Sequence, residues 1–389
     1  MSIDVRAIRD RRLRQRTGKP NRSALQIART SSIDHVNRHW PQNLSGFQAR
    51  GIVNPRNMCY RHSVIQSLLH CPLLLQWIAT HAQTPMTQCQ WAQPPLAGGP
   101  APAMRCPLCE LRRVCPQYWC ARPSNAANAT NIRQFHRSVQ HLQKVVLYGP
   151  TGSLPTNPAS QGDASGFYQF MYNVFQDATP ATVNPAWMEQ AQAIFTLTIQ
   201  PRLTCKNCGA TTTQPSVDQD ELILQLGNDP EHIKDLLPGF FDDTIVTRNC
   251  PTCGVSGEST QANLIDAAPE ILVVHLQRTG FNRKKGQFFK ITTPITFGKW
   301  LELTNYQTNR GSTLKYKLSS VICHSGNSMN EGHYITDALG PDGMFRTSDR
   351  DRWKIKLPDF LAPVKTNVDK GPDSGKDFHP YLLFYTKNT

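Results

Sequence analysis

Apolar positions change their spacing about halfway along this chain. After Cys59, the residues Val64, Ile65, Leu68 and Leu69 recur at helical intervals, predicting a helix that stops before Pro72. Asn131 to Val146 places Phe135, Val139, Leu142 and Val146 on one face. Ala164 to Phe175 places Phe167, Phe170, Met171, Val174 and Phe175 three and four residues apart. Both segments predict helices. Residues 84–104 are rich in Pro, Gln, Ala and Gly, and Gly149 to Gln161 in Gly, Pro and Ser, so both read as loops. Beyond Phe195 the period shortens, and strands are expected over 195–200, 221–226, 270–277, 287–297, 314–323, 333–338, 344–348 and 381–386. Helices in the first half and strands in the second predict an α+β fold rather than alternating βαβ units. No internal repeat is visible.

A length of 389 residues with 39% hydrophobic content supports a sizeable core and excludes a wholly disordered chain. No run approaches the roughly 18 apolar residues of a membrane span; Leu68 to Ile78 is interrupted by His70, Pro72 and Gln76. The first residues are charged from Asp4 and lack an apolar stretch, which predicts no secretory signal and an intracellular protein, nuclear or cytoplasmic. In a reducing compartment the 12 cysteines should be thiols, metal ligands or catalytic groups. Residues 1–46 hold ten Lys and Arg against three Asp, half of the net charge of +14. They read as a flexible basic N-terminal arm. It could contact nucleic acid, serve as a nuclear-import address, or be solvated without a partner.

Cysteine spacing is the strongest single signal. Cys205 and Cys208, then Cys250 and Cys253, form two CxxC pairs, each followed by Gly. Zinc takes four soft ligands in a tetrahedron, and two such turns can supply them, so a structural Zn2+ is expected here. Four thiolates leave no open position for chemistry. A second, less regular group contains His81, Cys89, Cys106 and Cys109, with Cys115 or Cys120 able to replace a member. It is either a second zinc site or one knuckle of incidental cysteines.

Cys59 directly precedes the first predicted helix, where the positive end of the helix dipole favours a thiolate. Gly332-His333-Tyr334 lies far along the chain, and Thr347-Ser348-Asp349 follows a short predicted strand. A return strand could bring Asp349 against His333, giving nucleophile, base and orienter.

The words around these residues resemble the ubiquitin-specific proteases. Gly51 to Leu68 is similar to their cysteine box, GLxNxGNTCYxNSxxQxL. Gln161 to Phe167 resembles their QQDAxEF segment, Pro269 to Arg278 their PxxLxxxLxRF strand, Tyr316 to Tyr334 their histidine box, and Pro380 to Tyr385 their terminal strand. The ordered set covers about residues 47–389. It implies a papain-like cysteine protease with thumb (about 47–185), palm and zinc-bearing fingers (about 186–389). The implied reaction is hydrolysis of the bond after the terminal glycine of ubiquitin. By position, Cys59 would be nucleophile, His333 base, Asp349 its orienter and Asn54 an oxyanion donor with the Cys59 N–H. Asp163 would bind ubiquitin's basic tail, and Tyr334 would line the channel around its glycines.

The chain departs from the pattern at Arg56, Met58, His62, Gly162, Gly166, Thr279 and Arg350, where the family favours Gly, Thr, Asn, Gln, Glu, Phe and Asp. A catalytically weak ubiquitin-binding pseudo-protease is therefore the alternative. A zinc-ribbon nucleic-acid binder would account for the charge but not for the boxes. A protease for another ubiquitin-like modifier is the remaining alternative.

Overall fold

The computed structural model describes residues 14–15, 22–44, 47–54, 57–81, 106–120, 129–145, 161–179, 184–227, 229, 231–309, 312–328, 331–366 and 375–388. Seven helices of seven residues or more precede the main strands: α1 (Arg22–Ile33), α2 (Cys59–Leu69), α3 (Pro72–Ile78), α4 (Pro107–Tyr118), α5 (Ala129–Val145), α6 (Ala164–Asp177) and α7 (Trp187–Phe195). The α+β segregation expected from the periodicity is present. Four of these helices were not expected. In the sequence the segment of α4 stands out only for its cysteines; Pro107 opens the helix and Pro116 falls in its last turn.

Helix α2 is the pivot. All eleven of its residues are buried, polar ones included, so it shows no polar face. Val64, Ile65 and Leu68 join Trp77, Phe135, Phe167, Phe175 and Trp187 in one core. Helix α6 starts where Asp163 caps it, its Oδ2 accepting the Gly166 N–H at 3.0 Å.

The strands are β1 (Leu197–Cys205), β2 (Val217–Gln219), β3 (Leu222–Gln225), β4 (Thr244–Asn249), β5 (Ser256–Ala267), β6 (Ile271–Gln277), β7 (Lys315–Ser328), β8 (Glu331–Gly340), β9 (Gly343–Ser348), β10 (Asp351–Ile355) and β11 (His379–Lys387). The larger sheet runs β10-β9-β8-β7-β11-β6-β3. Its pairs are antiparallel except β6 with β3. The smaller sheet carries β2-β1-β5-β4 and projects the four paired cysteines at its end. The strand expected over 287–297 divides instead. Gln287–Lys290 closes a hairpin with Thr279–Asn282, and Ile295–Thr296 pairs elsewhere.

Two hydroxyls fasten α2 to the larger sheet. Thr336 Oγ1 donates to the Ser63 carbonyl at 3.1 Å, and Thr347 Oγ1 to Gln66 Oε1 at 3.0 Å. They set the middle of the helix against β8 and β9.

The flexible arm expected over 1–46 is corrected for its described part. Residues 22–33 form α1, which packs on α7 and β5, and Ile33, Val36 and Leu44 are core residues. Arg29 is buried, donating to the Thr196 carbonyl at 3.0 Å and to Asp218 at 3.4 Å. Arg38 pairs with Glu270 at 3.1 Å. Counting charge misread both, because a buried ion pair and a solvated arginine look alike in composition. Residues 1–13 and 16–21 lie outside the described residues. Among the described residues no helix is long and apolar enough to cross a membrane.

Candidate active site

Cys59 is the first residue of α2, and only 3% of it is exposed. The dipole argument alone predicted an easily ionised thiol. Burial outweighs it and pushes the thiol up to about 12, although hydrogen bonds with the Tyr334 and Tyr60 backbone pull the other way. In this state Cys59 is a thiol that needs a base. The Tyr334 contact also places it beside the strand that carries His333.

The approach to Cys59 is held by Asn54. Its Oδ1 accepts the Met58 N–H at 3.0 Å, and its Nδ2 donates to Asp349 Oδ2 at 3.0 Å. The turn that follows takes its positive φ, 27°, at Asn57, a residue type that tolerates it. Arg56, the departure that raised concern about this turn, lies outside the described residues.

His333 enters through Gly332, whose φ is 136°. A Cβ there would run into the Ser325 carbonyl of β7, so only glycine lets the two strands approach. The His333 Nε2 sits 2.9 Å from Ser348 Oγ and 4.0 Å from Asp349 Oδ2. Asp349 occupies the turn between β9 and β10 in a left-handed conformation, φ 48°. Its carbonyl accepts the Ile52 N–H at 2.6 Å. A side chain on Gly51 would overlap the Arg350 carbonyl, which explains the glycine that opens the cysteine box. Burial works to raise the Asp349 carboxyl, but the hydrogen bond from His62, with His333 and Asn54 nearby, holds it below its ordinary value. It is a carboxylate at neutral pH.

Asp163 and Tyr334 meet each other. Asp163 Oδ1 accepts the Tyr381 hydroxyl at 2.7 Å and the Tyr334 hydroxyl at 3.3 Å, while Oδ2 caps α6. Tyr334 is buried. The pair lies next to Cys59, but its polar atoms already serve the fold.

The sulfurs of Cys205, Cys208, Cys250 and Cys253 lie within 4.8 Å of one another. Cys208 and Cys250 are 3.7 Å apart. Four sulfurs at about 2.3 Å from a tetrahedral zinc would be about 3.8 Å apart, so the group fits that ion. Each pair ends in a left-handed glycine, Gly209 at φ 70° and Gly254 at φ 72°. Backbone N–H groups of Cys253 and Thr252 draw Cys250 down to about 6. In the second group, His81 Nε2 is 3.3 Å from both the Cys106 and Cys109 sulfurs. The His81 Nδ1 lies 2.9 Å from Thr179 Oγ1. A hydroxyl accepting there fixes the tautomer a metal ligand requires. Cys89 lies outside the described residues, and Cys115 is not part of the cluster.

Sequence reasoning missed Ser348 and His62. His62 Nδ1 stands 3.3 Å from Asp349 Oδ1. The signal was present: His62 lies three residues after Cys59 on a helix, and so shares its face.

Comparison with known proteins agrees with this geometry. The family model described as Ubiquitin carboxyl-terminal hydrolase matches residues 50–385. Ubiquitin carboxyl-terminal hydrolase 10 of Saccharomyces cerevisiae is 30% identical over 140 residues, 36% of this chain and 16% of that protein. Probable ubiquitin carboxyl-terminal hydrolase 16 of Schizosaccharomyces pombe is 23% identical over 313 residues, 78% of this chain and 62% of that protein. The chain thus spans less than two thirds of the length of these relatives. Among solved structures, the SAGA Ubp8/Sgf11/Sus1/Sgf73 DUB module bound to ubiquitin aldehyde superposes with a TM-score of 0.67 at 20% identity, covering 87% of this chain and 70% of that chain. At that identity the likeness concerns the fold. With the family model spanning the described catalytic region from end to end, the chain belongs to the ubiquitin carboxyl-terminal hydrolase family.

Proposed function

We propose that this protein is a cysteine-type deubiquitinating peptidase that hydrolyses the isopeptide or peptide bond at the C-terminal glycine of ubiquitin. The observation that carries the reading is the meeting of Cys59, at a helix start, with the β8 strand whose His333 faces Asp349 at 4.0 Å. His333 takes the Cys59 proton, and the thiolate attacks the glycine carbonyl. The imidazolium then protonates the leaving amine, and water releases the acyl group. Asp349 orients and stabilises the imidazolium. Asn54 and the Cys59 N–H hold the oxyanion, for which Asn54 must turn part of its amide from Asp349 toward substrate.

The helical half would be the thumb and the strand-rich half palm and fingers. Zn2+ in the four-cysteine group would hold the end of the fingers and take no part in the reaction. A second Zn2+ would tie α3 to α4 through His81, Cys106 and Cys109, with Cys89 as fourth ligand. The free thiols suit a reducing, intracellular setting, nucleus or cytoplasm. The basic residues within 1–13 and 16–21 are the part of the arm left for nucleic acid or nuclear import.

Three features support a second reading, ubiquitin binding with little turnover: the raised thiol, the 4.0 Å gap at His333, and the use of Asn54 by Asp349. Steady-state hydrolysis of ubiquitin bearing a fluorogenic amide at its C-terminal glycine separates the two. The first reading expects turnover by the native chain and none by Cys59→Ala. Ubiquitin binding with no turnover by the native chain would establish the second.

A further inference from the structure

Asp349 stands on a two-residue turn, and its side chain is 23% exposed. Two neutral side chains hold its carboxylate in place. Asn54 Nδ2 holds Oδ2 at 3.0 Å. His62 Nδ1 holds Oδ1 at 3.3 Å, closer than His333 comes to the same carboxylate. The His62 ring is 1% exposed and is fixed from behind by His136 of α5, Nε2 to Nε2 at 3.1 Å.

These contacts assign the protons. A carboxylate can only accept, so His62 carries its hydrogen on Nδ1. The neutral ring then accepts at Nε2, and His136 must donate from Nε2. That leaves His136 Nδ1 a bare lone pair, and that atom is buried with no partner among the described residues. Burial, the largest effect on both rings, drives each toward neutrality; Asp349 opposes it at His62, while Arg61 and His333 reinforce it. A neutral clamp matters. It orients the carboxylate without cancelling the charge that His333 needs when it becomes an imidazolium.

We propose that His62, backed by His136, is a positioning residue that holds Asp349 in register for His333. The proposal rests on the reading of Cys59, His333 and Asp349 as the reacting set. It gives the departure at position 62 a role beside the reacting set, through the Nδ1 contact with Asp349.

The test uses the full chain and ubiquitin with a fluorogenic C-terminal amide. His62→Leu should lower kcat by about 10- to 100-fold, the scale of a misaligned catalytic group, with KM within about 2-fold. His62→Asn keeps a donor at the Nδ1 position and should stay within about 3-fold of native kcat; His62→Gln, whose amide reaches past that position, should not. In an Asp349→Ala background, His62→Leu should cost nothing more. An unaffected His62→Leu, equal loss in the Asn and Gln variants, or the same loss without Asp349 would each overturn the proposal. Nitrogen-15 NMR of the imidazoles provides a readout free of turnover, and it also decides if His62→Leu fails to fold. His62 should be the Nδ1–H tautomer in the native chain and should change in Asp349→Ala; an Nε2–H tautomer overturns the clamp. A native chain that shows the Nδ1–H tautomer but does not hydrolyse ubiquitin would retain the clamp and defeat the functional reading instead.

Discussion

Asp349 accepts from Asn54 and from His62 and faces His333, so three side chains from two distant segments depend on one carboxylate. Removing a group that orients the base should cost less than removing the base. We expect His333→Ala to lower kcat/KM by about 10³-fold or more and Asp349→Ala by about 10- to 100-fold, measured on the same ubiquitin substrate. Equal losses would mean that His333 has no other support, against its 2.9 Å contact with Ser348. The structure brings Cys59, His333 and Asp349 into one region, and the sequence singles them out because their neighbours form recognisable words. The thiol's raised affinity for its proton was not legible there, because a helix start is visible in a sequence and burial of all eleven residues of α2 is not. His62 was passed over for a related reason: its partner lies 287 residues away and only the fold joins them.

At the scale of elements, Gly332 and the four-cysteine group decide the geometry. Gly332 has φ 136° and no room for a Cβ against Ser325. Gly332→Ala should therefore cost about 2–3 kcal/mol in chemical denaturation, and an unchanged midpoint would show that the strands can part there. The four-cysteine group ties the turn after β1 to the turn before β5. Cys250→Ser, or a strong chelator, should lower Tm by about 5 °C or more. An unchanged Tm together with no zinc by elemental analysis would refute the metal assignment. CxxC spacing is local, so this cluster was readable. Helices α3, α4 and α7 were not: α3 and α7 are short, and Pro72, which reads as a break, sits like Pro107 in the first turn, where a helix accepts proline.

At the scale of the molecule, α1 belongs to the fold. Arg29 lies buried between Thr196 and Asp218, and its removal takes the paired cation from a buried carboxylate. We expect Arg29→Ala to cost about 3 kcal/mol in chemical denaturation; an unchanged midpoint would restore the flexible arm. Acid sensitivity is a second property of the whole. Burial pushes His70 and His379 down to about 4 and lowers His62 and His136 as well. An unfolded histidine titrates near about 6.5, so below that pH the unfolded chain takes up protons the folded chain refuses. Stability contributed by these groups is thus present above about pH 6.5 and falls toward pH 4. Tm should drop on going from pH 7.5 to pH 5; a flat profile would mean that the rings reach solvent.

The proposed function requires Cys59 to be a nucleophile that the ubiquitin tail can reach. Ubiquitin with an electrophile in place of its C-terminal carboxyl tests both together, read by intact-mass and peptide mass spectrometry. The account predicts one covalent adduct, on Cys59, absent from Cys59→Ala. No adduct on the native chain while ubiquitin still binds, or an adduct on any other cysteine, would contradict it.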